Sequence, residues 1–182
     1  MMYSCLSRRS ALGLAALSAL AVSGLLSGCN EKNSETASFA PVDIDRSTSC
    51  ELDGMLLADY PGPKAQIHYA DQAQPAFFCD TLELFNTLLA GEQVRAIRAV
   101  YVQDMGQAQW DAPVGHWIDA KSGFFVVGSQ RHGSMGPTIA SFAQEADANQ
   151  FTTEYGGKIL HFADITRDMV DLSGGALHDT RM

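Results

Sequence analysis

Ala65-Gln66-Ile67-His68-Tyr69, a polar stretch over 70–74, Pro75-Ala76-Phe77-Phe78-Cys79, and then Asp80-Thr81 ahead of Leu82, Phe85, Leu88 and Leu89 carry the reading that decides the fold. The first five residues alternate loosely. The second five mix aromatic and small apolar side chains beside turn residues, so both read as strands joined through the polar stretch. Asp80 or Thr81 is a helix-capping residue type, and the four apolar residues that follow recur at helical spacing. Gly91 ends the helix. Residues 97–102 are rich in β-branched and aromatic side chains and form a third strand. The order is strand–strand–helix–strand.

Downstream the same order recurs. Residues 116–119 and 124–127 read as a strand pair turning at Lys121-Ser122-Gly123. A helix over 138–154 follows, with Ile139, Phe142, Ala146 and Phe151 roughly on one face, and Gly156-Gly157 breaks it before a closing strand over 158–162. The expected fold is therefore α+β, two tandem ββαβ units packed together, spanning 48–104 and 105–172. The likeness between the halves lies in element order rather than residue identity. A short helix is expected over 165–172, and a flexible tail over 173–182.

Upstream of residue 48 the chain changes character. Arg8 and Arg9 precede an apolar run over 11–26, about sixteen residues, short of the ~20 a spanning helix needs. It reads as the core of a secretory signal over 1–28. The run closes as Leu26-Ser27-Gly28-Cys29, which resembles the bacterial lipobox, in which the cysteine is lipidated and becomes the first residue of the mature chain. Residues 29–47 are rich in Ser, Glu, Asp and Thr and read as a lipidated, flexible tether. The expected location is the periplasmic side of a bacterial membrane, anchored through Cys29.

Composition narrows the function. Of 182 residues, 46% are apolar and 18% charged, which fits a globular core. Acids outnumber bases 21 to 12, for a formal charge of −9, so the basic footprint of a nucleic-acid binder is absent. The acidic balance fits docking to a basic partner or plain solubility. Four cysteines without a Cys-x-x-Cys pair make no disulfide scaffold. No Gly-x-Ser-x-Gly elbow, Gly-x-Gly-x-x-Gly run or P-loop occurs.

Cys50, in Cys50-Glu51-Leu52-Asp53-Gly54-Met55, is the first candidate for chemistry. It is either a small buried apolar residue or, with the Met55 thioether nearby, part of a soft donor set of the kind that selects Cu(I). Met135 is the second. It stands in a long Gly- and Ser-rich loop, residues 128–137, without periodic apolar partners, and His132 three residues earlier is a further donor or an exposed loop residue. Cys79 reads as packing at the end of an apolar run. Met105 is a surface or ligand position, and Met169 a core position. His68, His116 and His161 lack metal-ligand spacing, so zinc has little support.

Several of these stretches together resemble the NosL family of copper-binding lipoproteins. They are Cys50-x-x-Asp53-Gly54-Met55, Asp59-Tyr60-Pro61-Gly62-Pro63-Lys64-Ala65-Gln66, Phe78-Cys79-Asp80, Tyr101-Val102-Gln103-Asp104-Met105, Trp110-Asp111-x-Pro113, Trp117-Ile118-Asp119-Ala120 and Met135-Gly136-Pro137-Thr138. The resemblance runs from Cys50 to about Asp164. It implies a fold of two ββαβ units and a Cu(I) site built from the cysteine before Gly-Met and the methionine before Gly-Pro, here Cys50 and Met135; Met55 and His132, from the residue reading above, are the possible additional ligands. It also implies a carrier that supplies copper for assembly of nitrous oxide reductase, with that enzyme and its copper-maturation machinery, including a membrane transporter complex, as partners. Some relatives carry a second cysteine where this chain has Asp53, so no Cys-x-x-Cys chelate is expected here. The implied fold is similar to the catalytic part of organomercurial lyases, which use cysteines and an aspartate.

Three readings follow. The first is a membrane-tethered Cu(I) metallochaperone without turnover chemistry. The second is a thiol enzyme using Cys50 with Asp53 as proton handler, distinguished by catalytic product release from an organomercurial. The third is a structural envelope lipoprotein, for which Cys50 and Met135 would be dispensable.

Overall fold

A computed structural model describes residues 39–91, 94–170 and 172. The expected signal peptide, Cys29 and the tail over 173–182 lie outside the described residues. β1 (Ala65–Tyr69) is buried at all five positions, which explains its imperfect alternation. It is a central strand, hydrogen-bonded on one side to β2 (Ala76–Phe78) and on the other to β3 (Ile97–Gln103), both antiparallel. Ala65, Ile67 and Tyr69 face the main core with Leu82, Leu84 and Phe85 of α1 (Thr81–Leu88). Asp80 is the cap of that helix, its side chain accepting from Leu82 N.

The other face of β1 carries Gln66 and His68, and residues 39–43 lie along it. Gln66 accepts from Val42 N and donates to Val42 O, both at 2.9 Å. Tyr101 donates its hydroxyl proton to Phe39 O, and Trp117 Nε1 donates to Asp43 Oδ1. The last part of the expected tether is therefore held by side chains of the sheet. Without those partners the polar groups on this face of the strand would be buried unsatisfied.

The second unit keeps the expected order with different boundaries. Its strands are β5 (Phe124–Val127), β8 (Ala140–Phe142) and β9 (Lys158–His161), and α2 (Glu145–Tyr155) precedes the last of them. The sheet order is β8-β5-β9 against β2-β1-β3 in the first unit, so the opening strand of each ββαβ copy is the central one. The expected pairing of 116–119 with 124–127 does not form. β4 (Trp117–Asp119) instead extends the first sheet by pairing with β3. The reason is local: Asp119 caps a 3-10 turn, Ala120–Ser122, that carries the chain onward rather than back on itself. Gly115 and His116, both at positive φ, have already turned it onto β3, where Asp104 N donates to His116 O.

The helix expected over 138–154 begins only at Glu145. Ile139 and Phe142 lie three apart, but residues 140–142 pair with β5 and are buried, and Ser141 donates to Gln103 O of the first sheet at 2.7 Å. The short helix expected over 165–172 is replaced by 3-10 turns at Phe162–Asp164 and Arg167–Met169. Met169, expected in the core, is half-buried. The main core runs through both units, with Phe125, Ile139, Ile165 and Val170 beside the first-unit residues and the rings of Phe85 and Phe125 edge-to-face at 5.0 Å.

Candidate metal centre

Cys50 enters the site on a tight turn. Ser49 and Leu56 form an isolated antiparallel bridge, Cys50 N donates to Met55 O at 2.8 Å, and Gly54 closes the turn at φ +77°. Glu51 N donates to Phe77 O, which ties the turn to the end of β2. Cys79 follows β2 directly, and Glu83 stands four residues later in the first turn of α1, on the same side as Cys79.

Met135 arrives from the other half of the chain. The loop expected over 128–137 holds a small hairpin, β6 (His132–Gly133) and β7 (Gly136–Pro137), with Ser134-Met135 at its tip. Four contacts position it. Trp110 Nε1 donates to His132 O at 2.9 Å, Thr138 donates to Asp80 Oδ1 at 2.6 Å, and Ser134 Oγ lies 2.9 Å from Cys79 O and 3.3 Å from Asp80 Oδ2. Gly62, at φ +81°, lies so close that a Cβ there would meet Gly133 Cα at 2.8 Å. Only glycine permits that approach.

These elements gather one cluster. Cys50, Leu57 and Cys79 are buried, and Met55, Met135, Phe77 and Ile44 pack against them. Both thiols are free and both donate to a single oxygen, Glu83 Oε2, at 3.2 Å each. Ligand atoms of Cys50, Asp53, Cys79 and Glu83 all lie within 4.8 Å of one another. Asp53 is exposed on the turn, and its carboxylate also accepts from Met55 N.

A cation lies next to them. Lys64 is completely buried, with Nζ donating to Pro61 O at 2.9 Å and to Cys79 O at 3.0 Å. Desolvation pulls its pKa down to about 8, against the pull of Asp80, Cys79, Glu83 and Cys50, so it remains charged at neutral pH. Burial pushes the carboxyl of Glu83 above the usual carboxylate range, opposed by the two thiol hydrogen bonds. The Cys79 thiol is pushed up, first by its hydrogen bond with Cys50 and then by burial. Lys64 thus places a buried positive charge beside the thiols and the Glu83 carboxyl.

Of the residues singled out by sequence, Cys50, Met55 and Met135 meet here. His132 is exposed on β6 and stands outside the gathered group. Met105 packs in a separate cluster around Trp110 and Phe142. Cys79 is fully buried, as a packing residue is, yet its thiol also faces Cys50 and Glu83. Glu83 and Lys64 escaped the sequence reading altogether. The Cys79-x-x-x-Glu83 spacing across a helix start was the one available signal for the first.

Two thiols beside a buried carboxylate, with two thioethers packed against them, make a donor set for a soft metal ion. A family model named NosL matches residues 41–170. The chain is 35% identical over 173 residues to the copper-binding lipoprotein NosL of Stutzerimonas stutzeri, covering 92% of this chain and 90% of that one. It is 39% identical over 150 residues to the copper-binding lipoprotein NosL of Achromobacter cycloclastes, covering 80% and 77%. The crystal structure of the copper chaperone NosL from Shewanella denitrificans superposes with a TM-score of 0.66 at 41% identity, covering 69% of this chain and 94% of that one.

Proposed function

This chain belongs to the NosL family, and from that membership we propose that it carries copper as Cu(I), held through Cys50 and Met135, and delivers it for maturation of nitrous oxide reductase. The observation that carries the reading is the convergence of these two sulfur residues, 85 positions apart in sequence, on one apolar cluster. A thiolate neutralises the charge of Cu(I), and a thioether adds softness without charge. Met55 packs in the same cluster and is available as a further thioether.

The setting supports delivery. Cys50 lies on a turn whose neighbours Glu51, Leu52 and Asp53 are exposed, and Met135 is on a hairpin tip, so both ligands are near solvent and open to ligand exchange with a partner. The recipients are nitrous oxide reductase and its copper-maturation machinery, including a membrane transporter complex. The relatives' description as lipoproteins supports lipidation at Cys29 and a periplasm-facing membrane anchor. No helix among the described residues is long and apolar enough to cross a membrane.

The protein does no turnover chemistry in this account. The meeting of Cys50, Asp53 and Cys79 favours one second reading, a thiol enzyme that cleaves organomercurials, and catalytic product release from such a substrate would establish it. The test of delivery is made in cells lacking the chain and complemented with wild type, Cys50→Ser or Met135→Leu under copper scarcity. Both variants should lower the copper content of nitrous oxide reductase. Undiminished loading in both would remove the carrier role.

A further inference from the structure

We propose that Cys79 is a second thiolate ligand of the copper cargo, so that this chain holds Cu(I) among Cys50, Cys79 and Met135, with Lys64 as the fixed cation that offsets the added negative charge. The inference rests on the copper reading above and deepens it. It supplies, from a position 29 residues away, the second thiol that the turn itself lacks because Asp53 occupies the Cys-x-x-Cys position.

Geometry is the first support. The two Sγ atoms converge on the same oxygen, Glu83 Oε2, each at 3.2 Å, and lie within 4.8 Å of one another. Two sulfurs on opposite sides of one ion, at bond lengths of about 2.3 Å as in metal thiolates, are at most about 4.6 Å apart. Cys50 and Cys79 therefore need little adjustment to share an ion. Met135 packs against both and approaches from the other half of the molecule.

Charge is the second support. Two thiolates and one Cu(I) leave a net negative charge in a buried place, which is costly unless a partner sits close by. Lys64 is fully buried, and its Nζ is 3.0 Å from the carbonyl oxygen of Cys79. Asp80 is the largest negative partner of Lys64, with Cys79, Glu83 and Cys50 after it, and a role for Cys79 in packing alone gives no reason to place the carboxylate of Glu83, 2% exposed, between two thiols. On loading, each thiol releases its proton to solvent as its sulfur bonds the metal, and copper stays Cu(I) throughout.

The test uses the full chain in detergent, loaded anaerobically with one equivalent of Cu(I). X-ray absorption should count three sulfur neighbours in wild type and two in Cys79→Ser, with about half of the copper–thiolate ultraviolet absorbance lost. Affinity, by competition with a chromophoric Cu(I) chelator, should fall at least about tenfold in Cys79→Ser. Lys64→Met should weaken wild type while changing Cys79→Ser little, because the charge it offsets is then gone. Met55→Leu, which should keep the count of three sulfurs and the full thiolate absorbance, distinguishes Cys79 from Met55 as the third sulfur. A wild-type count of two sulfurs, with Cys79→Ser as tight as wild type and Cys50→Ser still disabling, overturns the second thiolate and leaves the copper reading standing. Full-affinity binding in both Cys50→Ser and Met135→Leu overturns the two together.

Discussion

Replacing Asp80 by alanine should loosen the molecule at the point where its halves are joined. The Asp80 side chain is completely buried. It caps α1 through Leu82 N at 2.8 Å, accepts from Thr138 Oγ1 at 2.6 Å and has Ser134 Oγ at 3.3 Å. Loss of a cap costs about 1 kcal/mol. A buried hydroxyl deprived of its charged acceptor costs a further ~1–3 kcal/mol. Lys64 loses the largest of the negative charges that support its protonated form. Against this, burial holds the carboxyl of Asp80 above its usual range, so alanine recovers part of a desolvation penalty. The net expectation for Asp80→Ala is a loss of about 3 kcal/mol, or roughly 10 °C in Tm for a domain of this size. Urea unfolding followed by circular dichroism at pH 7 measures it, with the slope unchanged. Asp80→Asn, which keeps an acceptor oxygen for the cap and for Thr138, should lose less than half as much. A loss below about 1 kcal/mol in Asp80→Ala, or equal losses in the two variants, would refute this reasoning. Because Ser134 and Thr138 flank Met135, the folded fraction of Asp80→Ala should also bind copper more weakly.

Three further outcomes are expected. Met135→Leu keeps volume and apolarity, so stability should change by less than ~1.5 kcal/mol, while Cu(I) affinity falls on the order of tenfold in a chelator competition. The folded pKa of Lys64, about 8, lies below the ordinary lysine value of 10.5. Between those values the unfolded chain holds the extra proton, so this group makes the metal-free protein more stable as pH rises from about 8 to 10.5, by about 3 kcal/mol. Subtracting the pH profile of Lys64→Met from that of wild type reads this rise together with the coupling of Lys64 to the raised Cys79 thiol, which works in the opposite direction. Cys29→Ser should leave the protein unprocessed or free of the membrane in fractionation, and since one acyl chain anchors only marginally, mass spectrometry of the wild-type terminus should find more than one.

The first unit was legible almost to the residue because its signals agree. β1, β2, the Asp80 cap and β3 each have the residue types and spacing that their conformation requires. The second unit was legible in order but not in boundary. Ile139 and Phe142 have the spacing of a helix face, and only pairing with β5 makes 140–142 a strand. The partner of β4 was hidden because Asp119 to Gly123 suit a hairpin as well as the locally capped 3-10 turn they form, and a positive φ at His116 is not signalled by its residue type. At the site, Met135 stood out by lacking periodic apolar company and Cys50 by the Met55 thioether close to it in sequence. Cys79 did not, because it ends the apolar run Phe77-Phe78. Lys64 follows Pro61-Gly62-Pro63, a segment that reads as solvent-exposed loop, and its burial becomes visible only once Gly62 packs against Gly133.

The central claim is that Cys50 supplies the thiolate for a Cu(I) cargo. Anaerobic Cu(I) titration of the detergent-solubilised chain against a competing chelator, wild type beside Cys50→Ser, tests it most directly. The account predicts one tightly held Cu(I) per wild-type chain and near-complete loss of that binding in Cys50→Ser, with circular dichroism unchanged. Equal affinity in the two proteins, or no competitive binding by wild type, would contradict it.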